Sequence, residues 1–392
     1  MSQPVGTTTT ALARANKQAI LDVLATTGAM SKQDLSTTTG MSPATIGRLV
    51  SSLMTVGLVV ERGQRSGAVG RPSVIVDLNP RAAVVLSVLV GANALQVGFC
   101  DLRARVFDTA TVALPGGLPT SVESVLECIR DSLRRAGQKG LRCVAVGVCV
   151  PGTVDDQQNV DYAPALGWRD LALGQLLART INVPCRVEND ANSLAIAEYR
   201  ARSGTGAECL VALVLEEGLG AGIVLNGQLV RGVHGAAGEV GYMLMGRSAL
   251  TRVFPGFGDL EQRVGTAGVT ALGRSAGVAG EGGLTVMDVL RLGRDGDSRA
   301  VGISAELLDN LALAIGNISV VLDPAMIAVG IHDPELANWL AEELRTRLLG
   351  RIPKIPTITG PAAGRDALLA GVGLQGFAAA GSLVDLAETS LT

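Results

Sequence analysis

The segment from Ser31 to Leu78 constrains the fold of this chain more than any other, because its helix, turn and strand signals follow a fixed order. Two short helical patterns are joined by a glycine turn, and a strand, a basic glycine-rich loop and a second strand follow. This is the order of a winged helix-turn-helix, a small domain that places one helix in the major groove of DNA. The segment therefore predicts a DNA-binding head and favours regulation of transcription.

Capping residues mark the helix boundaries inside this head. Ser31 and Asp34 have the spacing of a capping box, in which each side chain accepts a backbone N–H of the other residue. Gly40 follows the short helix and tolerates the left-handed conformation that ends it. Ser42 caps a third helix with Pro43 at its first position, where the missing N–H costs nothing.

The third helix is the candidate recognition helix. Its apolar residues recur at positions i, i+3, i+4 and i+7 and are expected to face the core: Ile46, Leu49, Val50 and Leu53. The opposite face and the cap are the candidate DNA contacts: Ser42, Ala44, Thr45 and Arg48. The guanidinium of Arg48 suits a guanine edge or a phosphate.

The basic loop after the third helix is the candidate wing. It carries three arginines and three glycines without an acidic residue: Arg62, Arg65 and Arg71 are its predicted DNA contacts. The tripeptide Gly70-Arg71-Pro72 is short enough to place a guanidinium in a narrow minor groove. The alternative is a three-helix protein-interaction module whose arginines are solvated.

The charge distribution supports contact with nucleic acid at one end of the chain. Residues 1–78 carry seven basic and four acidic side chains, a net charge of +3, which leaves −6 for the remainder of a chain whose total is −3. A basic head on an acidic body is the pattern expected when only the head meets DNA.

Cysteine spacing and hydropathy indicate the compartment. The six cysteines form no C-x-C or C-x-x-C pair, and we expect them to be reduced, buried hydrophobes. The first ten residues are polar, and no run of about 18 apolar residues occurs. These features predict a cytoplasmic chain without a signal peptide or a membrane span.

The pattern changes to strands after residue 80. Three-strand meanders are predicted over residues 82–112 and 209–231, and each is followed by a helix and a buried strand, Cys143–Val150 and Met326–Val329 respectively. A duplicated β-β-β-α-β unit predicts an α/β body with two lobes around a cleft, which is where ligands usually bind.

Three segments of the body resemble the ROK family (repressor, open reading frame, kinase). They are GVCVPGTVD (Gly147–Asp155), VENDANSLAIAE (Val187–Glu198) and GLGAGIVLNGQLVRGVHGAAGEVGY (Gly218–Tyr242). The resemblance covers essentially the whole chain and implies an actin-like ATPase fold in two lobes. Members of the family are sugar kinases or sugar-responsive transcriptional regulators that carry an extra DNA-binding head.

The domain organisation follows from the head and the resemblance together. We expect a disordered segment at 1–10, a winged helix-turn-helix at 11–79 and a sugar-kinase-like domain at 80–392. Its lobes are expected at about 80–205 with a C-terminal helix at 364–380, and at 206–363. The predicted partners are a double-stranded DNA operator, a sugar or sugar derivative, and a second copy in a homodimer or higher oligomer.

The residues that correspond to the family's phosphate loops argue against an enzyme. Leu89 begins the run that matches Asp-Ile-Gly-Gly-Thr, and a leucine cannot organise a metal ion. Glu216-Glu217-Gly218 replaces Gly-Thr-Gly, and two carboxylates there would repel a nucleotide phosphate. The glycine-rich adenosine segment is reduced to Gly330-Ile331-His332. The enzyme alternative is an active sugar kinase with a DNA-binding head.

The family's zinc ligands are also missing. Tyr242 stands in the position of the family's histidine, and Gly256–Glu261 contains no cysteine. We therefore expect no metal and no cofactor, with the region Leu244–Phe257 held by packing in which Phe254 and Phe257 take part.

The sugar pocket that the resemblance implies is partly retained. Its candidate ligand-binding residues are Asn189, Asp190, Glu239, Tyr242 and Glu261. Ala165 replaces an asparagine that commonly contacts sugar in the family. The alternative for Asn189 and Asp190 is that they only cap the following helix. A further alternative is a regulator controlled by a protein partner, in which the body is only a scaffold for dimerisation.

Overall fold

The computed structural model of the chain describes residues 9–65, 73–202, 208–215, 218–254, 256–278, 284–331 and 333–384. Within these ranges, a small N-terminal domain of helices and a short sheet precedes a body built on two five-stranded sheets.

The N-terminal domain is the predicted winged helix-turn-helix. Its elements are α1 (Thr9–Thr27), β1 (Met30–Ser31), α2 (Lys32–Thr39), α3 (Pro43–Thr55), β2 (Val59–Arg65) and β3 (Ser73–Leu78), with the strands in the order β1-β3-β2. Ser31 Oγ accepts the N–H of Asp34 at 3.0 Å and the Asp34 carboxylate accepts the N–H of Ser31, which confirms the capping box. Gly40 ends α2 at φ 71°.

Helix α1 starts earlier than the sequence predicts. It begins at Thr9, so Thr9 and Thr10 are helical although they belong to the segment at 1–10 that was expected to be disordered. The threonines before Ala11 carry no apolar spacing from which a helix start can be recognised. Residues 1–8 lie outside the described part of the chain.

The first half of the body forms one mixed sheet and one small sheet. Its elements are β4 (Val84–Val90), β5 (Ala94–Asp101), β6 (Val106–Ala113), α4 (Val122–Gln138), β7 (Cys143–Val150), β8 (Thr153–Val154), β9 (Val160–Ala163), β10 (Trp168–Leu171), α5 (Leu173–Thr180), β11 (Cys185–Asn189) and α6 (Asp190–Ala201). The large sheet has the order β11-β7-β4-β5-β6, in which β4, β7 and β11 are parallel.

The second half repeats this arrangement. Its elements are β12 (Cys209–Leu215), β13 (Leu219–Leu225), β14 (Gln228–Leu229), α7 (Glu261–Val264), α8 (Thr266–Ser275), α9 (Val286–Arg294), α10 (Val301–Leu322), β15 (Met326–Val329), α11 (Pro334–Leu348), β16 (Thr357–Thr359) and α12 (Ala367–Ala380). The sheet order β14-β13-β12-β15-β16 is the counterpart of the first sheet, which confirms the predicted duplication.

Helices α6 and α12 lie between the two large sheets. Helix α12 packs on β4 and β7, α6 packs on β12 and β13, and the two helices contact each other. Glycines permit this close packing: a Cβ at Gly222 would collide with the carbonyl oxygen of Ala191, and one at Gly371 with that of Ser193. Helix α6, which follows directly on the last strand of the first sheet, is therefore held mainly by the second sheet.

Helix α10 is the apolar core helix of the second half. Leu307, Leu311 and Ile315 are buried in the cluster that also contains residues of β12 and β15. Of the helices in the described ranges, α10 is the one whose length and composition would suit a bilayer, and more than half of its apolar stretch is buried inside the protein. Its apolar composition is accounted for by packing in this core.

The head and the body share a continuous apolar core. Val76 and Leu78 of β3 belong to the same buried cluster as Val85 of β4. An ion pair also joins the two parts, because Arg103 in the turn after β5 contacts the carboxylate of Asp77 in β3. The head is thus packed on the edge of the body that lies at the start of β4 and the end of β5.

Candidate functional site

Helix α3 presents a polar face to solvent. Ser42 Oγ accepts the backbone N–H of Thr45 at 3.2 Å, so the predicted cap is formed. Ala44 and Arg48 are exposed, and Thr45 is half-buried. The residues predicted to face the core are all buried: Ile46, Leu49, Val50 and Leu53. The face predicted to contact DNA therefore points away from the core of the head.

The hairpin of β2 and β3 carries the base of the predicted wing. Arg62 is exposed, and its Nε lies 3.3 Å from Oδ2 of Asp77. The side chain of Arg65 and all of Arg71 lie outside the described residues. Asp77 is buried and also pairs with Arg103 of the body, which the sequence reasoning missed. The signal that could have revealed it is an aspartate within the apolar strand.

The second candidate site is a cleft between the two large sheets, with a cavity volume of about 300 Å³. It lies beyond the carboxyl ends of β4, β7 and β11, which run parallel and end at the same edge. All five residues predicted to bind a ligand line this cleft: Asn189, Asp190, Glu239, Tyr242 and Glu261. Its volume suits a small molecule.

Asn189 and Asp190 connect the cleft to the start of α6. The Asn189 side chain accepts the N–H of Asn192 at 3.1 Å and donates to the carbonyl oxygen of Gly152 at 2.9 Å. Asp190 Oδ1 accepts the N–H of Ala191 at 2.8 Å. Asn189 is therefore the cap that the alternative interpretation expected, and both residues also line the cleft.

Two glutamates lie near each other in partly desolvated positions on one wall of the cleft. Glu239 accepts from the hydroxyl of Thr153 at 3.3 Å, and burial raises the pKa of Glu239 above its ordinary value. Glu261 Oε1 accepts the N–H of Leu219 at 3.1 Å. Burial and, less strongly, the charge of Glu239 raise the pKa of Glu261. Tyr242, whose pKa is raised by burial and by both glutamates, completes this wall.

The side of the cleft that corresponds to the phosphate loops carries no charged side chain in its described part, although the amide of Gln96 lines it. Leu89 and Ala92 line it and are half-exposed, and Ala165 lines it where the family commonly has asparagine. Among the described residues of the lining, none is Lys, Arg or His. Part of the sequence argument against a kinase rests on residues that lie outside the described ranges: Glu216, Glu217 and His332.

The loop at 242–261, where the resemblance implies zinc, is held by an aspartate. Asp259 is buried, accepts the N–H of Met245 at 2.8 Å, and lies 3.3 Å from Arg263 and 3.6 Å from Arg252. The described residues contain no group of three His, Cys, Asp or Glu side chains suited to a metal. These residues therefore do not fit a zinc ion. Half-buried aromatic side chains pack nearby, as expected: Phe254 and Phe257.

A buried ion pair behind the cleft was missed from the sequence. Glu188, at the end of β11, is fully buried and accepts from Arg231 Nη1 at 3.1 Å. It also accepts from Asn192 at 3.0 Å. Arg231 precedes the loop that carries Glu239, so the pair fastens the two walls of the cleft to each other. Both residues lie in the family motifs, but their separation in sequence gives no local signal of the contact.

Comparison with known proteins identifies the two parts of the chain. The model of the ROK family matches residues 85–374, and that of the IclR helix-turn-helix domain matches residues 18–63. The xylose repressor of Bacillus spizizenii is 28% identical over 231 residues, which is 59% of this chain and 60% of the repressor. A transcriptional regulator of Mycobacterium bovis is 29% identical over 320 residues, which is 77% of this chain and 71% of the regulator.

Solved structures share the fold. A ROK family transcriptional regulator, a homolog of the E. coli MLC protein, has a TM-score of 0.71 at 22% identity and covers 93% of this chain and 98% of that one. A ROK family glucokinase from Streptomyces griseus, in complex with glucose and AMPPNP, has a TM-score of 0.63 at 24% identity and covers 76% of this chain and 100% of that one. At these identities the likeness establishes the fold, which a transcriptional regulator and a glucokinase both have.

Proposed function

Because the chain belongs to the ROK family and carries an IclR-type helix-turn-helix at its N-terminal end, we propose that it is a DNA-binding transcriptional regulator that represses carbohydrate-related genes. The names of the relatives, xylose repressor and transcriptional regulator, support this proposal. The observation that carries it is the exposed polar face of α3 on a head packed against a body with a ligand-sized cleft.

We propose that α3 enters the major groove, with its first turn at the base edges. The proposed contacts are Ser42, Ala44, Thr45 and Arg48 from α3, and Arg62, Arg65 and Arg71 from the wing. Arg62 is bound to Asp77, which partly neutralises its charge, so we expect it to contribute less than Arg48. The operator is expected to consist of two half-sites, because a single head makes few contacts and the protein is proposed to act as a cytoplasmic homodimer.

We propose that the cleft binds a sugar or sugar derivative that changes the affinity for the operator. Carboxylates of Asp190, Glu239 and Glu261 would accept hydrogen bonds from hydroxyl groups. The hydroxyl of Tyr242, which already donates to the carbonyl oxygen of Gly256, would add an acceptor. One N–H and one lone pair of the Asn189 amide are already engaged, so we expect it to position Asp190 and to contact the ligand through the second N–H or the second lone pair of its oxygen.

We propose that the cleft does not transfer phosphate. Catalysis by a kinase of this fold needs a carboxylate that organises a metal ion beside the phosphates, and Leu89 stands in that position. No sugar-dependent hydrolysis of ATP is expected with magnesium and common hexoses. Turnover that disappears in Asp190→Ala would instead favour the sugar kinase.

The head is tested by mobility shift or footprinting with operator fragments recovered by genome-wide DNA footprinting. Arg48→Ala is expected to weaken specific binding by about 1–3 kcal/mol if Arg48 reads a base. Arg274→Ala in α8, also an exposed arginine, is the matched control and should bind as the wild type does. Unchanged operator affinity in both Arg48→Ala and Arg71→Ala would refute the proposed interface.

A further inference from the structure

The polar and apolar walls of the cleft are separated along the edge of the first sheet. Asn189 is the last residue of β11 and Asp190 follows it, whereas Leu89 is the last residue but one of β4, and β7 lies between these strands. Adjacent strands are about 4.8 Å apart, so the two groups are separated by roughly 10 Å. That distance exceeds the width of one sugar ring, so a monosaccharide bound at the polar wall leaves the wall at β4 uncovered.

The wall at β4 is built mainly from aliphatic side chains. Leu89 lies in β4, Ala92 in the turn after it, Val214 in β12 and Leu368 in the first turn of α12. Gln96 of β5, which is paired with Leu89, also lines this part of the cleft with its uncharged amide. Leu89, Ala92 and Leu368 are half-exposed in the cleft. Covering this surface with an apolar group removes it from water, which stabilises a complex in proportion to the area covered.

The charges of the cleft disfavour an anion at the same place. The described lining residues include three carboxylates, Asp190, Glu239 and Glu261, and no basic side chain that could neutralise a phosphate. A phosphorylated sugar would lose its hydration and gain no cationic partner among these residues. The wall at β4 therefore suits a substituent that is uncharged and apolar.

We propose that the ligand of the cleft is an uncharged polyol that carries an apolar substituent, such as an alkyl or aryl glycoside, with its hydroxyls on the acidic wall and the substituent against Leu89 and Leu368. This inference rests on the proposed function, because it takes the acidic wall to bind a sugar. A sugar phosphate is expected to bind more weakly than the free sugar.

The test measures binding by calorimetry and thermal shift on the full chain. D-Xylose, D-glucose, D-mannose and N-acetyl-D-glucosamine are compared with their phenyl glycosides in both anomeric forms. For the hexoses, 6-O-benzyl ethers are added, and 1- and 6-phosphates serve as the charged counterparts. For the sugar that binds, we expect one apolar derivative to bind at least about tenfold more tightly than the free sugar, and each phosphate at least about tenfold more weakly.

Variants separate this inference from the function on which it rests. Leu89→Asp is expected to abolish the gain from the apolar substituent and to leave the affinity for the free sugar within about twofold. Leu368→Asp serves the same purpose if Leu89→Asp does not fold, and Leu313→Asp, on the exposed face of α10, is the control that keeps the gain.

Each outcome decides one of the two proposals. If a free sugar binds and no apolar derivative binds more tightly, or if a phosphate binds best, the inference is wrong and the proposed sugar response stands. If neither the sugars nor their derivatives bind, the proposed effector and the inference fail together.

Discussion

Single residues in the cleft carry charge in places where water is partly excluded. Glu239 and Glu261 lie close enough to affect each other, and burial is the main cause of their raised pKa values. A carboxyl group whose pKa is raised by folding binds its proton more tightly in the folded protein than in the unfolded chain. The contribution of such a group to stability is then greatest at low pH and is lost as the pH rises through the raised pKa.

Glu239→Gln is expected to flatten the dependence of stability on pH. In the wild type, the contribution of Glu239 to the free energy of unfolding falls as the pH rises from about 4.5 through its raised pKa, because the folded protein must then hold a desolvated carboxylate. Glutamine does not titrate. Urea unfolding between pH 4.5 and pH 8 measures the effect, with Glu127→Gln, exposed on α4, as the control. Equal slopes in the wild type and Glu239→Gln would contradict the prediction.

Asp259 fastens the loop at 242–261 through a backbone hydrogen bond and ion pairs, and its loss should be costly. Asp259→Asn removes the charge shared by Arg252 and Arg263, whose own partial exposure limits the penalty. We expect a loss of about 1–3 kcal/mol in the free energy of unfolding. Asp131→Asn breaks a pair between exposed side chains and should change stability by less than about 0.5 kcal/mol.

A chelator provides the second arm of this experiment. Because the loop is held by an ion pair and a backbone hydrogen bond, EDTA should leave the Tm unchanged, and elemental analysis should find no stoichiometric zinc. A fall in Tm with EDTA that is restored by zinc would show that Asp259 is not the residue that holds the loop.

At the scale of elements, contacts between helices and sheets position the cleft. The first turn of α6 carries Asp190, and α6 approaches β13 and α12 where side chains are absent at Gly222 and Gly371. A packed interior has little free volume, so an added methyl group there must push the elements apart.

Gly371→Ala tests this packing. The new Cβ would collide with the backbone of Ser193 in α6, and we expect a loss of about 1–3 kcal/mol in the free energy of unfolding, together with weaker sugar binding because Asp190 shifts. Gly302→Ala in α10 is the matched control: it is helical, has open space at its Cβ, and should stabilise the protein by up to about 1 kcal/mol. Similar stability changes in the two variants would mean that α6 and α12 are not packed as closely as described.

Elements with strong local signals could be predicted from the sequence. The strands Cys143–Val150 and Met326–Val329 were predicted residue for residue, because continuous apolar runs between turns define them. The small sheet of β8–β10 and the short helices α7–α9 were not predicted, since they are too short for a clear period. The packing of α6 on the second sheet depends on contacts that no local pattern encodes.

The candidate site was predicted unevenly for the same reason. Capping and periodicity identified the exposed face of α3 directly, and family motifs brought the five cleft residues together. The pairs that fasten these parts, Glu188 with Arg231 and Asp77 with Arg103, join residues far apart in sequence. Each acid is buried, so its need for a partner could be anticipated, but the identity of the partner comes only from the fold.

At the scale of the whole molecule, the first sheet connects the cleft to the head. Strands β4 and β5 are paired from the cleft to the head. Val90 is paired with Leu95 at the cleft, and Val84 is paired with Asp101 at the head. Eight residues of strand span roughly 25 Å, and the turn that follows carries Arg103 into the head. Movement of the first sheet on closure of the cleft is therefore expected to act on the head through this turn.

The contacts of Arg103 are suited to transmit movement of the first sheet to the head. Its Nη2 contacts the buried carboxylate of Asp77 and the carbonyl oxygen of Leu24, at the end of α1, at 3.4 Å. Asp77 also holds Arg62 at the base of the wing. One side chain of the body thus touches both the wing strand and the first helix of the head.

Arg103→Ala is therefore expected to weaken the response of DNA binding to ligand. The measurement is operator affinity with and without the sugar that the full chain is found to bind by calorimetry. The wild-type change should correspond to about 1–3 kcal/mol of coupling, and the variant should lose most of it while it still binds the sugar. Arg105→Ala, whose exposed side chain lies in the same turn, is the control and should respond as the wild type does.

Because removal of Arg103 leaves Asp77 with Arg62 as a partner, the head should stay folded, and circular dichroism of the variant checks this. A full response to sugar in Arg103→Ala would show that the signal reaches the head by another route, whereas loss of sugar binding itself would place Arg103 in the support of the cleft.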